Sequence, residues 1–339
     1  MHLRGRSSEG VQQAAVESGA DKPSYKKAAA HFTRLTAVPM SGTTLAALVQ
    51  EHGGHLVAQE AVAAEKASAP PERDTPGPGP QAPVPPERVA LSQDGTTIHT
   101  YEGWKEVKVG SISEISLGPA KSPGGDPEVH LTKHSYCAGL WDHEELNRHF
   151  WWEMTRRGAD RSPHQAALGD AAPWIWENFA VVAPKAEEGI DWWHGLEYFW
   201  GVGKAVLGEG TTETAAWMRA QETALWRGEV AVVRAAVAGL TPTTEAGQTK
   251  VRCALAYLTE HAQRLRYPEL RAAGYPIGSG TVESACNSLV GGRLKQAGQR
   301  WSEGGANAVL AIRSALWSDR WLETWAGVYW PPPAKSTTS

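Results

Sequence analysis

Apolar positions recur at helical spacing in two stretches near the N-terminus. Ser24 can cap a helix carrying Tyr25, Ala28, Ala29, Phe32 and Leu35. After a break at Val38-Pro39-Met40, Ser41 can cap a second, carrying Leu45, Leu48 and Val49 and ending near Gly53-Gly54. A helix pair joined by a short turn reads as helix-turn-helix, whose second helix would enter a major groove, or as plain scaffolding. Few side chains on the second helix suit base reading, Gln50 being the clearest. Residues 1–66 are therefore expected to form a helical, helix-turn-helix-like region. Residues 67–88, dense in proline, follow as a semi-rigid linker.

The pattern then changes to strands. Residues 89–93 and 96–100 alternate around Asp94-Gly95, residues 104–115 stay extended, and 130–137 read as a third strand. A helix is predicted over 141–157, with Leu146, Phe150 and Met154 on one face. A short apolar run ends at Asp170, and a helix opens around Pro173. A second short strand ends at Ile190-Asp191, and a helix follows with Leu196, Tyr198, Phe199 and Val202. This order describes an α/β fold, a mixed sheet with helices on its faces. Residues 203–272 read as a helical insertion whose best-packed piece is Val230–Ala238, and further helix is expected through Val309, Ile312, Leu316 and Trp317.

The stretch Tyr275-Pro-Ile-Gly-Ser-Gly-Thr-Val-Glu283 carries the most concentrated chemistry. Val282, Cys286, Leu289 and Val290 make one buried helical stripe. Glu283 falls in the first turn, where the helix dipole favours a carboxylate, and the glycines allow close approach of a backbone, nucleotide or metal. A capping box, with Glu283 bonded back to a backbone N–H, is the alternative. Arg293, Lys295 and Arg300 follow as candidate phosphate contacts, with Lys105 and Lys108 as further ones; a solvated face is the alternative for each.

Composition narrows the classes. No run approaches the roughly 18–20 apolar residues of a membrane span, and the polar start Met1-His-Leu-Arg lacks an apolar signal core. A cytoplasmic, nucleoid-associated protein without membrane contact is expected. Cys137, Cys253 and Cys286 show no zinc spacing and read as small buried hydrophobes. The net charge of −4 argues against indiscriminate nucleic-acid binding. Residues 250–320, however, hold ten Lys/Arg against five Asp/Glu, a local balance of +5. The sixteen tryptophans serve core packing or base stacking.

Asp94 and Asp170 each end or follow a strand, and Glu283 opens a late helix. Brought together, they would form an oxygen-rich site for Mg²⁺, and two such ions support in-line phosphoryl transfer. Each acid has a simpler use: Asp94-Gly95 as a hairpin turn, Asp170 as a cap before Pro173, Glu283 as a capping-box partner. Asp191 and His194 add a polar pair, with an Asp–His hydrogen bond as the simpler reading.

Several separated blocks carry a resemblance. Pro276-Ile-Gly-Ser-Gly-Thr-Val-Glu-Ser-Ala-Cys, Arg293-Leu-Lys-Gln-Ala-Gly-Gln-Arg-Trp-Ser, Ala311-Ile-Arg-Ser and Arg320-Trp-Leu-Glu-Thr-Trp resemble the C-terminal signature of the ISKra family of bacterial insertion-sequence transposases. Asp94-Gly with Gly103-Trp-Lys-Glu-Val-Lys-Val-Gly resembles its first catalytic block. Gly169-Asp-Ala-Ala-Pro-Trp-Ile-Trp resembles its second, and Ile190-Asp-Trp-Trp-His a following one. The resemblance covers residues 89–325 well and 24–62 weakly.

It implies a ribonuclease H-like DDE catalytic domain over 89–331, with the insertion at about 203–272 and a disordered tail at 332–339. It implies a metal triad of Asp94, Asp170 and Glu283 holding two Mg²⁺ or Mn²⁺ ions, and Asp191 with His194 as a supporting Asp-x-x-His motif. Asp170 is preferred to Asp191 as the second metal carboxylate, because it directly ends a strand and Asp191 is accounted for by His194. The implied reaction cleaves insertion-sequence ends and joins 3′-OH ends to target DNA, in a homo-oligomeric synaptic complex. Asn287 stands where relatives commonly carry Lys, Ala171 where they carry Gly, and the N-terminal region is shorter than theirs. The alternative is a truncated or decayed copy that binds DNA without catalysis.

Overall fold

β-Branched and small residues at alternating positions draw the chain from 88 onward into a sheet. The computed structural model describes residues 8–68 and 83–329. Three strands, β1 (Arg88–Thr100), β2 (Gly103–Gly118) and β3 (Glu128–Gly139), pair antiparallel in sequence order. β4 (His164–Gly169) then pairs parallel to β1, and β5 (Glu187–Ile190) pairs parallel to β4. The result is an α/β fold around a five-stranded mixed sheet in the order β3-β2-β1-β4-β5.

β1 runs straight through Asp94-Gly95, which pair with Val109 and Lys108. The hairpin reading of that dipeptide is thus excluded. The turn falls instead at Tyr101-Glu102, where Gly103 takes a φ of +115°. The nearest neighbour a Cβ on Gly95 would meet is the flexible Glu106 side chain on β2.

Period-two alternation sends the strands' side chains to two apolar layers. On one face, Val89, Leu91 and Ile112 pack with α4 (His143–Arg157), α5 (Pro173–Val182) and α6 (Trp192–Leu207). The same layer takes in α7 (Thr212–Trp226), α8 (Val230–Ala238) and α9 (Glu245–Glu260). α8 is less packed than its sequence predicts. It buries only Val233 and Val237, and Val232 is exposed.

On the other face, Ile98, Val107 and Val109 meet the N-terminal helices α1 (Glu9–Asp21), α2 (Tyr25–Thr36) and α3 (Gly42–Ser68). Late elements complete that layer. α10 (Tyr267–Ala272) leads to the short α11 (Gly280–Ser284), a π-helical segment Ala285–Gly291 and α12 (Gly292–Leu294). α13 (Glu303–Trp317) and α14 (Trp321–Tyr329) follow.

Ser24 caps α2 by accepting from the Lys27 N–H, as its position predicts. α3 departs from expectation by continuing through Gly53-Gly54 to Ser68. A Cβ on Gly53 would stand 2.6 Å from the Ala308 carbonyl, so this glycine allows α3 to close against α13 and does not end the helix. Gln50, the candidate base reader, packs its amide against Gly305. The N-terminal helices therefore share one apolar core with the sheet and α13. Most of the linker (69–82) and the tail beyond 329 lie outside the described residues. Among the described residues no helix is long and apolar enough to cross a membrane. Cys137 and Cys286 are buried, but Cys253 is exposed, contrary to its reading as a buried hydrophobe.

Candidate active site

Register determines which acids meet. The last ladder pairs are Ser92 with Leu168 and Gly169 with Ile190. One or two residues further on, β1, β4 and β5 present Asp94, Asp170 and Asp191 in a row across adjacent parallel strands. The Asp191 N–H donates to the Gly169 carbonyl at 2.9 Å, which carries the parallel ladder to that level. Neighbouring strands lie about 4.8 Å apart. Alternation turns the row toward the face that carries Ile98 and the π-helical segment.

The acids differ in how fully they are engaged. Asp94 Oδ1 accepts from the Gly95 N–H at 2.7 Å, and the Cys286 thiol donates to Oδ2 at 3.4 Å. Asp170 Oδ1 accepts from the Ala172 N–H at 2.7 Å, just before Pro173 opens α5. Asp191 is buried and saturated. Its Oδ1 accepts from the His194 backbone N–H at 2.9 Å, and its Oδ2 accepts from the Ser279 N–H at 2.6 Å and the Ser279 hydroxyl at 3.2 Å. The Trp192 N–H donates to the Ile277 carbonyl at 2.9 Å, stitching the Gly278-Ser279-Gly280 elbow to the end of β5.

The Asp191–His194 hydrogen bond forms, but through the backbone and not the imidazole. Asp191 is the N-cap of α6 and takes the backbone N–H, while the imidazole Nδ1 lies 3.8 Å from Glu197. The preference for Asp170 therefore rests on different ground. Asp191, too, directly follows a strand, but its oxygens are spent on holding α6 to the elbow.

Glu283 comes from α11, above the row. It makes no capping box; its Oε1 lies 3.3 Å from the Ser279 hydroxyl, whose one proton it shares with Asp191. Among the described residues no three His, Cys, Asp or Glu side chains stand together as a ready cation cage. The charges nevertheless act on one another. Burial raises the Asp94 carboxyl above the usual carboxylate range, and Asp170 adds to the rise; the Gly95 N–H, the Cys286 thiol and His194 oppose it. Partial desolvation also raises Glu283, which is exposed at the mouth. Asp191 and Asp94 add to that rise, and Ser279 and His194 oppose it. Cys286 is itself pushed far up by burial and by Asp94, so it stays a thiol and a donor. Its part escaped the sequence reading, although its i,i+3 spacing from Glu283 places both on one helix face.

The candidate phosphate contacts divide. Arg293 is fully buried, stacked between Tyr25 and Trp301, and donates to the Gly19 and Pro23 carbonyls, so its assignment to DNA is corrected to a structural one. Lys108 is likewise buried, 3.8 Å over the Trp174 ring and 3.0 Å from Glu106. Lys105 pairs with Glu303 at the surface. Lys295 is exposed and donates to the Thr96 hydroxyl, two residues along β1 from Asp94; Arg300 is exposed.

Comparison with family models and with curated proteins finds no match to this chain.

Proposed function

We propose that the chain is a DNA strand-transfer enzyme of the ISKra transposase type, with a ribonuclease H-like catalytic domain. The observation that carries this reading is the level placement of Asp94 and Asp170 on adjacent parallel strands, with Glu283 above them. The strand order β3-β2-β1-β4-β5, the helical stretch between β5 and α11, and the late position of Glu283 agree with it.

The donor set fits a divalent cation. Asp94, Asp170 and Glu283 offer hard carboxylate oxygens, and a cation would offset both the burial that chiefly raises Asp94 and Glu283 and the like charges that add to it. These three residues would hold Mg²⁺ or Mn²⁺. When bound, the ions would supply activation of the attacking oxygen and charge stabilisation at the phosphorus. The rest belongs to the chain. The Cys286 thiol and Gly95 N–H orient Asp94, Ser279 orients Glu283, and Asp191 ties the elbow to α6. Lys295 and Arg300 would neutralise phosphates without reading sequence. The α2–α3 pair would serve as a helix-turn-helix-like layer for DNA ends. Joining paired ends would take at least two copies.

A second reading is a chain that binds DNA without cutting it. A strand-joining assay separates the two. The full chain, given oligonucleotides with 3′-OH ends, a supercoiled target and Mn²⁺, should yield joined products that Asp170→Asn abolishes. Binding without products would favour the second reading, and nicking without joining would mean a nuclease.

A further inference from the structure

α6 starts at the acid row and carries an aromatic residue that the core does not use. Asp191 caps the helix, and Trp192 turns inward, its ring edge-on to Tyr267 at 4.9 Å and to Trp226 at 5.6 Å. One step round the helix, Trp193 turns out and is 70% exposed. The cap residue Asp191 is itself the third member of the row, directly after β5, which puts this first turn beside the acids. An indole held in water there costs apolar exposure, and neither the sheet nor the helices account for it.

The face continues. Trp200, two turns on, is 37% exposed, and Lys204, paired with Glu209 at 3.3 Å, follows at the next turn. Lys250 from α9 reaches over Gly201 between them, with Nζ 3.7 Å from where a Cβ would stand. Glu197 also lies on this face, turned toward His194. Exposed indoles interleaved with ammonium groups suit a single strand, whose bases stack while its phosphates meet cations.

We propose that Trp193 is a stacking platform for an unpaired nucleobase beside the phosphodiester presented to the acid row. This inference rests on the strand-transfer reading and deepens it. Trp193 positions the strand and touches no reacting atom. A base freed from the duplex stack offers its π-face, so the platform would favour frayed or single-stranded ends over intact duplex.

The test uses the full chain and a short single-stranded oligonucleotide carrying one 2-aminopurine. The wild type should quench the probe on binding. Trp193→Ala should abolish the quench and weaken binding about 5- to 150-fold, and Trp193→Phe should restore most of both. The thermal midpoint of each variant should match the wild type, because the side chain is exposed. Equal binding and quench in Trp193→Ala would overturn the platform, as would a loss that Trp193→Phe does not restore. So would a change of oligomeric state without a change in DNA binding, which would make Trp193 a contact between copies. Mn²⁺-dependent nicking separates the two readings. If the wild type stacks the probe but never nicks, the catalytic reading fails and the platform stands. If wild type and Trp193→Ala nick and bind alike, only the platform fails.

Discussion

Asp94 and Asp170 stand level on neighbouring parallel strands, two residues beyond the paired Ser92 and Leu168. Burial raises the Asp94 carboxyl, and the like charge of Asp170 beside it adds to the conflict.

The conflict has a sign in pH. Asp94 and Glu283 are both raised above ordinary carboxylate values, so the folded chain holds protons that the unfolded chain has released. The metal-free protein should therefore gain stability from these groups as pH falls from neutral through their raised pKa values, and lose it as pH rises again. Asp94→Asn should flatten the Asp94 share of that dependence and raise the melting temperature at pH 7. Melting curves of wild type and variant from pH 4 to pH 8 would check this; a variant less stable than wild type at pH 7 would contradict it.

Adding a divalent cation should act in the same direction. Mn²⁺ at a hundredfold excess over its Kd should stabilise the wild type by about 2.7 kcal/mol. Asp94→Asn and Asp170→Asn should each lose most of that gain. Calorimetric melting with and without Mn²⁺ gives the difference directly.

Arg293 should prove a structural cation. It donates to the Gly19 carbonyl at 3.2 Å and the Pro23 carbonyl at 3.3 Å, and so joins α1 and α2 to α12. Arg313 makes a parallel tie, from the Ala20 carbonyl at 2.9 Å to the Leu289 and Ser288 carbonyls of the π-helical segment at 2.6 and 2.9 Å. Arg293→Ala should cost about 3 kcal/mol, since charged hydrogen bonds and stacking are lost together. Arg300→Ala should leave stability unchanged and lower the salt slope of DNA binding by about one. Denaturant titration and salt-dependent binding would separate the two arginines.

Arg320 should be still less dispensable. It lies buried, 2.8 Å from Glu60 on α3 and 3.9 Å from Glu153 on α4. Burial raises Glu60, and Arg320 opposes the rise. Arg320→Ala would strand buried carboxylates at a cost of about 3–5 kcal/mol. Adding Glu60→Gln to that variant should recover part of the loss in denaturant titration.

Much of the fold was legible because periodicity reports burial. Leu146, Phe150 and Met154 form the buried stripe of α4 as their spacing predicts, and Val282, Cys286, Leu289 and Val290 do the same above the acids. Glycine misled at Gly53, where it marks close packing of α3 on α13, and at Gly95, which lies within a continuous strand. Charge misled at Arg293 and Lys108, because a cation buried on aromatic faces looks the same in sequence as one facing a phosphate. Asp191 and His194 are joined by a hydrogen bond, but through the backbone, since an N-cap uses the N–H three residues on. The row of three aspartates depends on the β1–β4–β5 register, a long-range pairing that no local pattern carries.

The central claim is that Asp94, Asp170 and Glu283 act together on DNA, and plasmid nicking tests it most directly. Supercoiled plasmid would be incubated with Mn²⁺ and the wild type, Asp94→Asn, Asp170→Asn or Glu283→Gln, each first shown to be folded. Open-circle product from the wild type alone, with every variant at background, is the predicted result. Nicking by the wild type that persists in Asp170→Asn would contradict the claim and take Asp170 out of the site.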